Sequence, residues 1–159
     1  MKIGIVADTH SRPLPPQMLK DFQKVDLIIH AGDFCSIKDF QTFTKIKKLE
    51  AVYGNMDESE VKRALPRRKV LHLESVKIGL FHGEGAPQMI LETVEKEFKN
   101  EKVHVVIFGH SHQPFNEIRN DILFFNPGSP NDMIFAPYCS YGLLEIVQGQ
   151  VTGKIIKVK

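Results

Sequence analysis

Two histidines one residue apart, His110 and His112, follow Gly109 at the end of the apolar run Val103-His104-Val105-Val106-Ile107-Phe108. Neutral imidazole is the commonest metal-ligating side chain. On extended backbone alternate residues point the same way, so the spacing predicts that both rings face one point. A polar turn after a core strand would look the same, and the other strand ends decide between the two. Apolar runs also stop at Asp8-Thr9-His10, at Gly32-Asp33, at Gly54-Asn55 and at His82-Gly83. Asp8, Asp33, Asn55, His82 and His110 stand about 22 to 28 residues apart, one strand–helix–strand step each. Parallel strands at that interval bring their carboxyl ends to one sheet edge, where open α/β folds place their sites. Taken singly, Asp8 and Asp33 read as caps and Asn55 as a turn residue. Caps and turns do not call for four histidines at the same edge.

Asp8, His10, Asp33, Asn55, His82, His110 and His112 are too many donors for one tetrahedral ion. They suit two divalent ions about 3.5–4 Å apart that share a carboxylate. With no thiolate among them, a purely structural zinc is disfavoured. Two such ions clamp a phosphoryl group for in-line attack and generate the nucleophile from water near neutral pH. His30, three residues before Asp33, is a candidate to stand behind the ligands and orient them. Asp57 is another. His72 and His104 fall within strands and read as packing or surface residues.

The elements that must position these residues follow from periodicity. Lys2–Ala7, Val25–Ile29 and Ala51–Tyr53 read as buried strands, as do 70–73, 76–81 and 103–108. Between them, a helix starting at Pro15 or Pro16 would bury Leu19 and Phe22. A second, over 37–48, sets Ile37, Phe40, Phe43 and Ile46 on one face, and a third, over 87–100, does the same with Ile90, Val94 and Phe98. Residues 58–69 read as a short helix and an exposed basic loop. Phe115–Ile118 with Ile122–Phe125 form a hairpin, closed by the turn Asn126-Pro127-Gly128-Ser129. The C-terminus is a final hairpin around Gln148-Gly149-Gln150. Strand–helix alternation followed by mostly strands predicts two sheets packed face to face rather than one doubly wound sheet.

Composition bounds the remaining classes. The 159 residues carry 25% charged and 42% hydrophobic side chains, ordinary for a globular chain and long enough for a core without disulfides. A net charge of +2 gives no argument for nucleic acid or anionic membrane as partner. Cys35 and Cys139 are far apart in no paired spacing, which fits a reducing compartment. No run reaches the length of a signal h-region or a membrane span. A cytoplasmic protein is expected, as one domain over 1–159.

In this order, Asp8-x-His10, Gly32-Asp33, Gly54-Asn55, His82-Gly83 and Gly109-His110-x-His112 resemble the calcineurin-like metallophosphoesterases, and most closely their small prokaryotic phosphodiesterase branch. The resemblance implies an α/β, four-layer αββα sandwich of two mixed sheets flanked by helices; the chain's length leaves no room for a cap domain, so an open cleft is expected. It implies one metal on Asp8, His10, Asp33 and His112, the other on Asp33, Asn55, His82 and His110, with Asp33 bridging. Manganese is the implied metal, with iron, zinc, nickel and magnesium open. The implied activity is hydrolysis of a small phosphodiester by a metal-bound hydroxide, Asp33, Asn55 and His82 acting through the metals. The chain departs from many relatives at Met56, where they carry a histidine able to assist the leaving alcohol; a thioether donates no proton. Asp57, His30 or a water would have to substitute. The same fold resembles the retromer scaffold subunit, a non-enzymatic alternative for which Phe124, Phe125, Phe135 and Tyr138 are the candidate interface aromatics. They would equally serve a homo-oligomer contact or the core. A weak nuclease, resting on the basic residues 62–69, is the third reading.

Overall fold

A computed structural model describes residues 1–158. Strands β1 (Lys2–Val6), β2 (Leu27–His30), β3 (Leu49–Ala51), β9 (Ser140–Val147) and β10 (Gln150–Lys157) form one sheet, in the order β10-β9-β1-β2-β3. Strands β4 (Arg68–Leu73), β5 (Val76–Phe81), β6 (Val105–Ile107), β7 (Phe115–Arg119) and β8 (Ile122–Asn126) form the other, in the order β4-β5-β6-β8-β7. β1, β2 and β3 run parallel, as do β5, β6 and β8. Antiparallel partners flank each parallel set. The expected two mixed sheets are therefore present.

Alternation along the strands divides the apolar residues into three cores. Ile3, Ile5 and Ile29 of one sheet meet Leu80, Ile107 and Phe125 of the other between the sheets. On the outer face of the first sheet, Val6 and Ile28 pack under helices α1 (Pro16–Phe22), α2 (Ile37–Ile46) and α3 (Ser59–Ala64) through Met18, Phe22, Phe43 and Val61. On the outer face of the second, Val106 and Phe124 lie under Ile90, Val94 and Phe98 of α4 (Ile90–Phe98). Three interfaces between helix, sheet, sheet and helix make the four layers.

Several expectations shift. Helix α1 buries Met18, not Leu19, beside Phe22, because the i and i+4 pair that faces the sheet is set one residue earlier. β3 runs over Leu49–Ala51 and meets the expected segment only at Ala51, since its partners on β2 are Ile28 to His30. The helix expected from Pro87 opens with a 3₁₀ turn over Pro87–Met89. His104 precedes β6 rather than lying in it, and its Nδ1 accepts from the Lys77 N–H at 2.9 Å. His72 is exposed on β4. Phe124 and Phe125 are buried, because β8 lies between β6 and β7 and both its faces are covered. Phe135 and Tyr138 stay exposed.

The basic segment is no free loop. Arg67 pairs with Glu84 and Glu97 and covers the Phe81 ring, Arg68 pairs with Glu97 and Glu101, and Lys69 pairs with Glu50. The charges of Arg67, Arg68 and Lys69 are met by carboxylates of the same chain, while Lys62 Nζ donates to the Asn55 carbonyl at 2.9 Å.

Phe125 joins the two sheets most directly. It is fully buried, and its ring fills space that a Cβ on Gly142 (2.4 Å) or Gly153 (2.7 Å) would enter. Phe125→Ala is expected to cost about 3–5 kcal/mol of stability, read as a lowered denaturation midpoint at unchanged slope. A loss below about 1 kcal/mol would contradict this packing account.

Candidate metal centre

The parallel strands deliver their carboxyl ends to a single edge shared by the two sheets. From the first sheet come Asp8 and His10 after β1, Asp33 after β2 and Asn55 after β3. From the second come His82 after β5 and His110 and His112 after β6. All seven expected residues meet there. Asp8 Oδ1 lies 3.4 Å from His112 Nε2 and 3.9 Å from both His10 Nε2 and His82 Nε2. Asp33 Oδ2 lies 3.3 Å from His82 Nε2 and 3.9 Å from His10 Nε2. Asn55 Oδ1 is 3.1 Å from His82 Nε2 and 3.0 Å from His110 Nδ1. The donor atoms of Asp8, His10 and His112 lie within 4.8 Å of one another, as do those of Asp8, Asp33 and His82.

The backbone reason for this convergence differs from the expected one. His110 and His112 do not continue a strand, since β6 stops at Ile107. Asp8, His10, Asp33, His110 and His112 all have left-handed φ, between 47° and 68°. Such residues are uncommon outside glycine, and each carries local strain that the surrounding contacts must hold. The turns pack so closely that glycine is needed beside them. A Cβ on Gly54 would stand 2.1 Å from Asp33 Oδ1, and one on Gly109 would stand 2.8 Å from Asp8 Oδ2.

Each imidazole is anchored outward through one ring nitrogen and turns the other inward. His82 Nδ1–H donates to Ala31 O at 2.7 Å and His110 Nε2–H to Gly85 O at 2.7 Å. His112 Nδ1–H donates to the Asp132 carboxylate. His10 Nδ1 lies 3.4 Å from Cys35 Sγ, while its Nε2 faces His112 Nε2 at 3.1 Å. This is how a ligand's tautomer and orientation are held in metal sites. Four inward nitrogens around two buried carboxylates and an amide oxygen fit divalent cations of mixed nitrogen and oxygen preference.

The electrostatics agree with that fit. Burial opposes charge on both His82 and His112, yet Asp33 and Asp8 raise His82, and Asp8 and Asp132 raise His112, each to about 9. In the metal-free chain each thus holds a proton at neutral pH, which a metal would displace. Burial lowers His10 despite Asp8 and Asp33, and that ring is neutral. Burial also pushes the Cys35 thiol, beside His10, up to about 11.

The two residues expected behind the ligands sit on the loop backbones. His30 is buried, stacked on Phe34 at 3.5 Å. Its Nδ1 accepts from the Gly32 N–H at 3.1 Å and its Nε2 meets Thr9 Oγ1 at 3.1 Å. Asp57 Oδ2 accepts from Asp33 N at 3.0 Å and Gly54 N at 2.7 Å, and Oδ1 from Cys35 N at 2.7 Å. Both groups are 3% exposed or less, and these hydrogen bonds hold them against the loops that carry the ligands.

Asp132 is the residue that sequence reasoning missed. It is buried, held at about 2 against desolvation by His112 and the Ile134 and Phe135 amides. The turn before it does more than close a hairpin. Asn126 Nδ2 donates to Gly109 O at 2.9 Å, and Ser129 Oγ to Asp8 O at 2.8 Å. The only signal was a cluster of Asn, Ser and Asp after an apolar strand, which reads as turn chemistry. Asp132→Asn is expected to weaken metal binding by ~10- to 100-fold with the fold retained. Competition against a chelating dye reads this, and an unchanged affinity would separate Asp132 from the site.

Comparisons with known proteins bear on what this edge does. Residues 1–149 match the model of the calcineurin-like phosphoesterase superfamily domain. A probable metallophosphoesterase of Methanocaldococcus jannaschii is 38% identical over 138 residues, covering 82% of this chain and 68% of the relative. A second protein of that organism, named a phosphodiesterase, is 31% identical over 145 residues, covering 80% and 83%. Among solved structures, an archaeal phosphodiesterase superposes with a TM-score of 0.80 at 26% identity, covering 98% of this chain and 100% of that one. Vps29 of Chaetomium thermophilum shares the fold at 20% identity, with a TM-score of 0.80 over 99% and 97%. The chain belongs to the calcineurin-like phosphoesterase superfamily.

Proposed function

We propose that the chain is a binuclear metal-dependent phosphodiesterase. The observation that carries this reading is the inward turn of four outwardly anchored imidazoles onto Asp8, Asp33 and Asn55. The names of two relatives as phosphodiesterases support the diester as substrate. Asp8, His10, Asp33 and His112 would hold one ion, and Asp33, Asn55, His82 and His110 the other. Asp33 Oδ2, within 3.9 Å of both His10 and His82 nitrogens, suits the shared position. Manganese is the metal to load first. Two divalent ions, when bound, activate a water for in-line attack on phosphorus and neutralise charge on the phosphoryl oxygens.

The chain's own part is to hold donors and position substrate in a cleft of about 440 Å³. Backbone turns preset the donors, so no reorganisation is needed at the moment of reaction. Met56 stands 59% exposed on the cleft and donates no proton. With Asp57 and His30 engaged on backbone amides and Thr9, the leaving group departs without an acid from these residues. Substrates with weakly basic leaving groups are favoured.

Manganese-loaded protein is expected to carry about two ions per chain by elemental analysis and to hydrolyse bis(p-nitrophenyl) phosphate. Asp33→Ala and His82→Ala are each expected to lower turnover by at least ~100-fold; turnover kept by both variants would sink the reading. A separate comparison concerns Met56. Met56→His is expected to raise kcat for an alkyl leaving group by ~10- to 100-fold while changing p-nitrophenolate release little. An equal effect on both would show that protonation of the leaving group is not what the wild type lacks.

A further inference from the structure

The outer wall of the cleft carries side chains that ligate nothing. Arg12, Met56 and Phe135 line it next to the histidines. Phe135 is 74% exposed, a costly place for a phenyl ring unless something covers it. The backbone beneath it is nevertheless tied down. The N–H groups of Ile134 and Phe135 donate to Asp132 Oδ1 at 2.8 and 3.2 Å, and Phe135 O accepts from Gln113 Nε2 at 2.9 Å. Asn131 Nδ2 donates to Thr9 O at 3.0 Å, joining the same loop to the turn that carries His10. The carboxylate that orients His112 therefore also presents the ring. An aromatic side chain on so fixed a backbone gives up little conformational freedom when it stacks on a ligand.

Arg12 supplies the matching charge. Its guanidinium donates to Asn131 O at 3.3 Å, and among the described residues it forms no ion pair with a carboxylate. Arg67, Arg68 and Lys69, by contrast, are all matched to glutamates. A planar guanidinium left unpaired beside a phosphoesterase site is suited to two oxygens of a phosphoryl group.

We propose that Arg12 and Phe135 form a subsite for a phosphodiester bearing a planar aromatic group, with the guanidinium on the phosphoryl oxygens and the phenyl ring stacked on that group. Met56, on the same cleft, adds a polarizable contact to the stacked ring. The aromatic group is either a nucleobase or an aryl ester, since both offer a π-face. This rests on the phosphodiesterase reading and narrows its substrate class.

Titration calorimetry on manganese-loaded protein separates the two halves of the subsite. AMP and ribose 5-phosphate share a phosphate and differ in the base; phenyl phosphate and methyl phosphate differ in the aryl group. Phe135→Ala is expected to weaken the aromatic member of at least one pair by ~5- to 150-fold, the range of base–aromatic stacking, and its partner by less than ~2-fold. The responding pair identifies the source of the ring, and Phe135→Tyr is expected to restore affinity. Arg12→Ala is expected to weaken both members of a pair alike, with Arg12→Lys recovering part of the loss. If Phe135→Ala leaves all four ligands unchanged, or weakens both members of each pair equally, the subsite is overturned. A changed sedimentation coefficient with unchanged affinities overturns it too, assigning the ring to a contact between chains. Wild-type turnover of bis(p-nitrophenyl) phosphate is measured alongside. Its absence would overturn the phosphodiesterase reading, whereas turnover with no Phe135 dependence would overturn the subsite alone.

Discussion

Two carboxylates of like charge, Asp8 and Asp33, are buried within reach of the same imidazoles at the edge where the two sheets meet. Burying an unpaired carboxylate costs several kcal/mol even after relaxation, so this edge is stable only if positive charge is supplied there. In the metal-free chain, protons on His82 and His112 supply it. Divalent cations would supply more, and the surroundings are arranged for them. Backbone amides of Met56 and His110 already satisfy outer lone pairs of Asp33 and Asp8, and the remaining oxygens face the imidazoles.

Holding those charges in place requires backbone that ordinary strands and helices do not provide. Five of the seven donor residues sit in left-handed turns. Such turns persist because other groups over-determine them. Asp57 ties the Asp33 turn to Gly54, His30 ties the Asp33 turn to Thr9, and Asn126 and Ser129 tie the turns of Gly109 and Asp8 to the end of β8. The three cores behind them fix the strands from which the turns spring. Site and fold are thus one arrangement, in which apolar burial supplies the stability that strained turns and buried charges consume.

The basic run at residues 67–69, which as sequence alone suggests an anion-binding loop, is matched glutamate by glutamate. Arg12 is different: among the described residues it forms no ion pair, and it lines the cleft beside a fixed aromatic ring. Exposed pairs like those of Arg67 contribute little to stability.

The sequence by itself determined the strand and helix types, the two-sheet architecture and the seven residues that meet at one edge. Strand ends repeating at a βαβ interval must come to the same edge, and periodicity of two or 3.6 is a local property. Tertiary structure alone decided the rest. Whether His110 and His112 turn by extended or left-handed backbone depends on how closely Gly109 approaches Asp8. Met18 rather than Leu19 is buried because the sheet, not the helix, sets which face is covered. Asp132 became visible only when the loop after β8 folded back onto His112, 20 residues away in the chain. Spacing along a chain records which residues share an element; the partners of a buried charge are chosen across elements, where no spacing records them.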